Sequence, residues 1–462
     1  MRRALLPLVL LLTFALQLPA QVYPANPTYD KIAEGVLKDT GVPSASIAIV
    51  RDGKIVYLQA YGYANLDAKM RAKPFMRYSV GSISKQFTAA AILLLQQQGK
   101  LSLDDTVAKW IPGLTDADKV TIRQLLSHTS GYQDFWPQDY VMPEMLESTN
   151  AQHILDKWAK IPLDFAPGTK WQYSNTNYVI AGLIVQKAAG KPMLDLLQEN
   201  VFGPLGMKSV TNTDQEKLPA SDPTGYIRYA LGPLHPAPKE GKGWMFAAGE
   251  LAMTAEDLAR WDISMINQTV LSPASYKQME TEILLANGAG TRYGLGVFVG
   301  LRRGHRYINH DGEVSGFVSA NTVFPDDHSA VVVLTNQDAI DAASQIAEQI
   351  GDTFFIPEGG ATAKANELAR QVFMGLQQGK IDRSLFTANC NAYFGETALG
   401  DYRSSLGPMG KVREFELVSE SLRGGMVHRS YQVKLEKGAV EINSFWMPDG
   451  KIEQFIVTPH ES

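Results

Sequence analysis

The chain has 462 residues, 45% of them hydrophobic and 20% charged, with a formal net charge of −5. That length exceeds one ordinary core and implies two or three domains, while the composition excludes a disordered chain or a coiled coil as the global state. The mild acidity carries no nucleic-acid footprint, and past the N-terminus no apolar run approaches the roughly 20 residues of a membrane span, so neither partner is expected.

The first residues read MRRALLPLVLLLTFALQLPAQ, with Arg2 and Arg3 ahead of an apolar run from Ala4 to Leu16 and the small Ala20 before Gln21. This pattern predicts a secretory signal peptide over residues 1–20 and a periplasmic or secreted protein; a retained membrane anchor is the alternative, for which the run is short. Cys390 is the sole cysteine. An exported form would therefore have no internal disulfide, and Cys390 reads as a small packed side chain and not as a nucleophile.

After a short proline-containing lead, Ser44 to Arg51 and Lys54 to Tyr61 are β-rich runs about the turn Asp52-Gly53, which predicts a hairpin. Tyr78 to Gly99 then reads YSVGSISKQFTAAAILLLQQQG. Its apolar residues run almost all round the helical wheel, so this helix belongs in a core, with Gly99 as its stop. Ser82 and Lys85 stand at its start, three residues and nearly one turn apart, so the Lys85 amine can return to the Ser82 hydroxyl. A capped helix with a surface lysine is the plain alternative, but an all-apolar helix offers a lysine no surface. A serine beside an embedded amine is an activated nucleophile.

Further on, Ser102-Leu103-Asp104-Asp105 offers a capping box for a short helix ending near Trp110, and a helix is expected from about Asn177 to Ala189. Pro219 to Gly243, rich in proline and glycine, predicts an exposed loop. Thr254 caps a helix running to about Ile266. From Arg292 strand patterns return at Tyr293–Gly300, Arg306–His310, Phe317–Phe324 and Ala330–Thr335, followed by a helix over about Ala339–Phe355. Strands at both ends around a helical middle imply an α+β architecture: one antiparallel sheet built from distant segments, flanked by helices, with an all-helical subdomain inserted. Glu358 to Thr362 reads as a linker. Residues 362–462 then form their own α+β unit, a helix over about Ala363–Gln378 followed by four strands, in an order that resembles the nuclear-transport-factor-2-like cone.

Taken together these residues resemble the serine β-lactamase and penicillin-recognising hydrolase superfamily, and within it the class C-like branch that includes D-aminopeptidases and carboxylesterases. The resemblance spans roughly residues 29–357 and rests on three signatures in order: S-x-x-K at Ser82 to Lys85, Y-x-N at Tyr173 to Asn175, and H-x-G at His310 to Gly312 in place of K-T-G. LLSHTSG at 125–131, PGTKWQYSNTNY at 167–178, PLGM at 204–207 and YGLG at 293–296 also look like this branch. Y-x-N recurs at Tyr63 and Tyr307, but Tyr63 lies on the early hairpin and Tyr307 on the strand leading into His310. Lys239-Glu240-Gly241 fits K-x-G but lies in the proline-rich loop.

The resemblance implies a β-lactamase/transpeptidase-like fold and an acyl-serine mechanism. Ser82 would be the nucleophile, with Lys85 and Tyr173 sharing the proton transfers and the choice of base left open. Asn175 would orient Lys85 and donate to a substrate amide. Gly312 would let the strand approach the substrate, and the backbone N–H groups of Ser82 and Glu313 would form the oxyanion hole. His310 would stand where penicillin-binding relatives carry lysine. With an ordinary histidine pKa it would be mostly neutral at pH 7 and charged near pH 6, or charged longer through its neighbour Asp311. His128 would serve the turn that closes the helical subdomain, in preference to a Ser–His–acid triad. No cofactor and no metal are expected. The predicted partner is a small-molecule or peptide substrate of ester or amide type, cell-wall derived substrates included. A β-lactamase or peptidoglycan DD-carboxypeptidase is the nearest alternative, and a non-catalytic cell-wall binding protein on the same fold the distant one.

Overall fold

The computed structural model describes residues 23–355 and 361–459. The expected signal segment and most of the expected linker lie outside the described residues. The chain divides into two compact units, Met1–Gly351 and Asp352–Ser462.

In the first unit the central sheet has seven strands in the order Met70–Arg71, Lys54–Asn65, Ser44–Arg51, Ser329–Thr335, Phe317–Phe324, His305–Val314 and Phe298–Arg302. The pairing is antiparallel throughout, and Ser46 lies opposite Leu334 where the early hairpin meets the late strands. Both strands at that junction are buried along nearly their whole length. That is why SASIAIV and SAVVVLT read as near-continuous apolar runs without the alternation of a half-exposed strand. Helix Ala255–Asn267 packs across these same strands. Its Thr254 cap accepts from the Asp257 N–H.

The inserted segment is mostly short helices around Asn175–Ala189, which packs on the core helix Ser84–Gln97. Ser84–Gln97 is buried from Ser84 to Leu95. Ser82 itself lies in a 3-10 turn, Gly81–Ile83, just ahead of that helix.

Four elements differ from expectation, the first being the strand expected over Tyr293–Gly300, which forms only as Phe298–Arg302. The proline-containing lead is a helix, Pro27–Thr40, whose Asn26 side chain accepts from the Thr28 N–H and whose stop is Gly41 in the left-handed region. The Ser102–Asp105 box closes a turn only, and the short helix starts later, at Val107, beyond Thr106. Pro219 to Gly243 is not simply an exposed loop: it contains the small hairpin Tyr226–Arg228 with Leu234–Pro236. Asp222 within it is buried against the Arg77 guanidinium at 2.7 Å, a pairing between distant residues that composition cannot signal.

The second unit has its own core, including Ala369, Phe373, Phe394, Tyr431, Ile442 and Ile452. Helix Ala361–Leu376 begins at the expected end of the linker. Two further helices, Ala388–Tyr393 and Glu396–Leu406, precede a four-stranded meander, Val412–Arg423, Met426–Leu435, Gly438–Trp446 and Ile452–Pro459. Burial alternates along the inner strands, as in a sheet with one covered face. Cys390 is buried and unpaired.

Candidate active site

The 3-10 turn sets Ser82 at the edge of the core, with Lys85 wholly buried behind it. Lys85 Nζ lies 2.9 Å from Ser82 Oγ, 2.8 Å from Asn175 Oδ1 and 2.8 Å from the Ala248 carbonyl oxygen. The two carbonyl oxygens can only accept. A neutral amine here spends both N–H groups on them and turns its lone pair to the Ser82 hydroxyl. Burial lowers the Lys85 pKa to about 7, against a smaller opposing effect of the Asp134 carboxylate, so the neutral form is populated near neutrality.

Tyr173 approaches from the helical insertion, its ring centroid 5.0 Å from Lys85 Nζ. Desolvation raises its phenol pKa, with a hydrogen bond to Ser82 working the other way, so Tyr173 keeps its proton at neutral pH. The neighbouring Asn175 opens the Asn175–Ala189 helix. Its backbone N–H donates to Asp134 Oδ1 at 2.9 Å, and its side-chain amide approaches Asp134 Oδ2 at 3.3 Å. Asp134 thereby fixes which way Asn175 presents oxygen to Lys85. No sequence motif marks Asp134, because it acts only through a loop that returns to the Y-x-N segment.

His128 is buried in the left-handed backbone region (φ +58°) with its ring 4.2 Å, centre to centre, from Tyr173. Nδ1 accepts from the Ser174 N–H at 3.2 Å, which assigns the proton to Nε2, an atom without a hydrogen-bond partner. Among the described residues no hydrogen bond joins it to Ser82 or to a carboxylate, and it serves as a brace for the Tyr173 turn.

The third wall is the strand His305–Val314. Gly81 (φ +51°) sits so close that a Cβ there would lie 2.7 Å from the Glu313 backbone nitrogen, which brings the Ser82 and Glu313 backbones together as an oxyanion hole requires. A Cβ on Gly312 would overlap the Val80 carbonyl oxygen. Ser319 Oγ ties the two segments, donating to Val80 O at 2.8 Å.

His310 departs from expectation. Its Nδ1 donates to the Asp311 carbonyl oxygen at 2.6 Å, leaving Nε2 to accept from the Tyr293 hydroxyl at 2.9 Å. Burial, with Lys85 nearby, lowers its pKa to about 3. It therefore stays neutral at pH 6 as at pH 7. Asp311 does not hold a proton on it, because its contact with the ring is through the backbone and its side chain answers instead to Asp341 and Glu348.

Ser82, Tyr173 and Glu313 line two lobes of one cleft, of about 490 and about 480 Å³. Trp136, Tyr140, Val141 and Met245 give the first lobe an apolar side, and Phe298, His310 and Gly312 line the second. Among the described residues no group of three or more His, Cys, Asp or Glu side chains could hold a metal ion.

The sequence matches the beta-lactamase family over residues 29–353. The chain belongs to that family. It is 27% identical to penicillin-binding protein 4* of Bacillus subtilis over 80% of this chain and 87% of that protein. It is 30% identical to protein flp of Staphylococcus aureus over 66% of this chain and 62% of that protein, so it spans less than two thirds of the latter. Among solved structures it resembles a D-stereospecific amidohydrolase from Streptomyces (TM-score 0.62, 27% identity, 70% of this chain and 98% of that one). An octameric penicillin-binding protein homologue from Pyrococcus abyssi, at 21% identity, shares the fold over 93% of this chain and 98% of its own (TM-score 0.61). As a member of this family with these relatives, the protein is a serine hydrolase.

Proposed function

We propose that this beta-lactamase family member is an exported hydrolase of esters and D-amino-acid amides or peptides, acting through an acyl-serine intermediate. Ser82 Oγ attacks the carbonyl carbon while its proton passes to Lys85 Nζ, the only one of the two candidate bases whose proton-free form is populated near pH 7. The Ser82 and Glu313 N–H groups receive the oxyanion. As the C–O or C–N bond breaks, Tyr173 relays a proton to the leaving group and recovers one from Lys85. Water then enters by the same route to release the acid. The retention of serine, lysine and tyrosine in contact speaks against a purely non-catalytic binding protein.

The observation that carries the substrate class is the charge of the cleft. None of the described residues lining either lobe is a lysine or arginine, and His310 is neutral. A substrate carboxylate, which β-lactams and DD-carboxypeptidase substrates carry, would find no fixed cation at the third motif. The names of the amidohydrolase above and of a D-amino acid amidase from Ochrobactrum anthropi (TM-score 0.60, 25% identity, 70% of this chain and 99% of that one) favour the same class. The test is kcat/KM for a chromogenic cephalosporin against a short-chain nitrophenyl ester at pH 7.5. The cephalosporin value is expected far below the ester value, and efficient cephalosporin turnover would overturn the reading. Because His310 is buried and neutral, the gap should not narrow at pH 6.

A further inference from the structure

In the first lobe of the cleft, Asp338 is 9% exposed and lines the wall together with Ser82 and Glu313. Its Oδ2 accepts from the Gly316 N–H at 2.9 Å, while Oδ1 has no hydrogen-bond partner. Glu313 stands beside it, held through Oε1 by the Ala339 N–H at 2.8 Å, and Asp139 is close enough to act electrostatically on Glu313. Asp338, Glu313 and Asp139 form no ion pair with a lysine, arginine or histidine among the described residues. Desolvation raises the pKa of both Asp338 and Glu313, and the Asp338 carboxyl group adds to the Glu313 shift. The buried Asp338 carboxyl group, with a vacant acceptor, no resident cation and the Glu313 carboxyl group on the same wall, is unfavourable alone, and a cationic ligand would relieve it.

We infer that Asp338 and Glu313 form a subsite for the free ammonium of the substrate's acyl part, making this enzyme select α-amino amides or esters over their N-acylated counterparts. The inference rests on the acyl-serine reading for its catalytic consequence, but the binding preference does not depend on turnover. Asp338 Oδ1 receives one N–H of the ammonium and the Glu313 side chain a second, while the Glu313 backbone N–H faces the scissile carbonyl. Recognition of the amine and polarisation of the carbonyl then come from the same stretch of strand.

The test measures binding of D-phenylalanine amide and its N-acetyl derivative by calorimetry to the full chain carrying Ser82→Ala, alone and with Asp338→Asn or Asp338→Glu. The free amine should bind roughly tenfold or more tightly than the acetylated form, since charge-assisted hydrogen bonds exceed neutral ones. Asp338→Asn, which keeps an acceptor for the Gly316 N–H, should collapse that ratio toward one, and Asp338→Glu should restore part of it. Equal binding of the two ligands by the Ser82→Ala protein, or an undiminished ratio in a folded Asp338→Asn protein, overturns the subsite. Ser82-dependent hydrolysis of a nitrophenyl ester, measured in parallel on the wild type, reports on the acyl-serine reading separately. Its absence would remove that reading while the binding ratio still decides the subsite.

Discussion

Lys85 is useful because it is expensive. A wholly buried amine held by two carbonyl oxygens loses charge stabilisation that water would provide, and the lowered pKa is the chemical return. The pH profile follows with a definite sign: Lys85 must be proton-free to act, so kcat/KM for a nitrophenyl ester should rise with pH through about 7 and then level. A profile flat from pH 5.5 to 8.5 would exclude Lys85 as the base. Asp134 favours the charged amine, so Asp134→Ala should move that rising limb to lower pH. The same change frees Asn175 and should lower kcat, by roughly tenfold or more if the amide swings away from the amine. Ser82→Ala should lower turnover by roughly 10³-fold or more with the fold intact, and retention of a tenth of the activity would refute the nucleophile.

Among the elements, the strand His305–Val314 is set against the Gly81–Ile83 turn with no room for a side chain between them. Gly312→Ala forces its methyl group into the Val80 carbonyl, so strand and turn must part and the oxyanion donors with them. Activity should fall by roughly 10²-fold, the scale associated with a displacement of about 1 Å, with circular dichroism little changed. Wild-type rates in that variant would show that the strand does not set the site. The helical insertion contributes the opposite wall, since the turn bearing Tyr173 is braced by His128 and the helix from Asn175 carries the residue that grips Lys85.

At the scale of the whole molecule, the hydrophobic core of the first unit and that of the second are separate sets of residues. The residues lining both lobes of the cleft all precede residue 345, and the family match ends at 353. A protein truncated at Pro357 is therefore expected to fold and to hydrolyse a small nitrophenyl ester at a rate within a few-fold of the full chain, because a domain with its own core folds independently. Loss of activity in a truncated protein with a cooperative thermal transition would assign the second unit a part in catalysis.

The sequence by itself determined the elements whose causes are local. The all-apolar helix from Ser84, the hairpin about Asp52-Gly53 and the late strands are written in side-chain pattern, and S-x-x-K is legible because three residues make nearly one helical turn. The helix Pro27–Thr40 was equally local, with Asn26, Pro27 and Gly41 as its signals, yet the prolines made it read as a lead. Only the tertiary structure decided the rest. Asp134 and Asp338 matter through what distant segments bring to them, the partly buried ion pair of Asp222 with Arg77 joins residues 145 positions apart, and no pattern marks such meetings in advance. His310 shows the physical reason most directly: its residue type promises a charge switch near pH 6, but burial, the Asp311 carbonyl and the Tyr293 hydroxyl hold the neutral ring, and desolvation is a property of the folded chain alone.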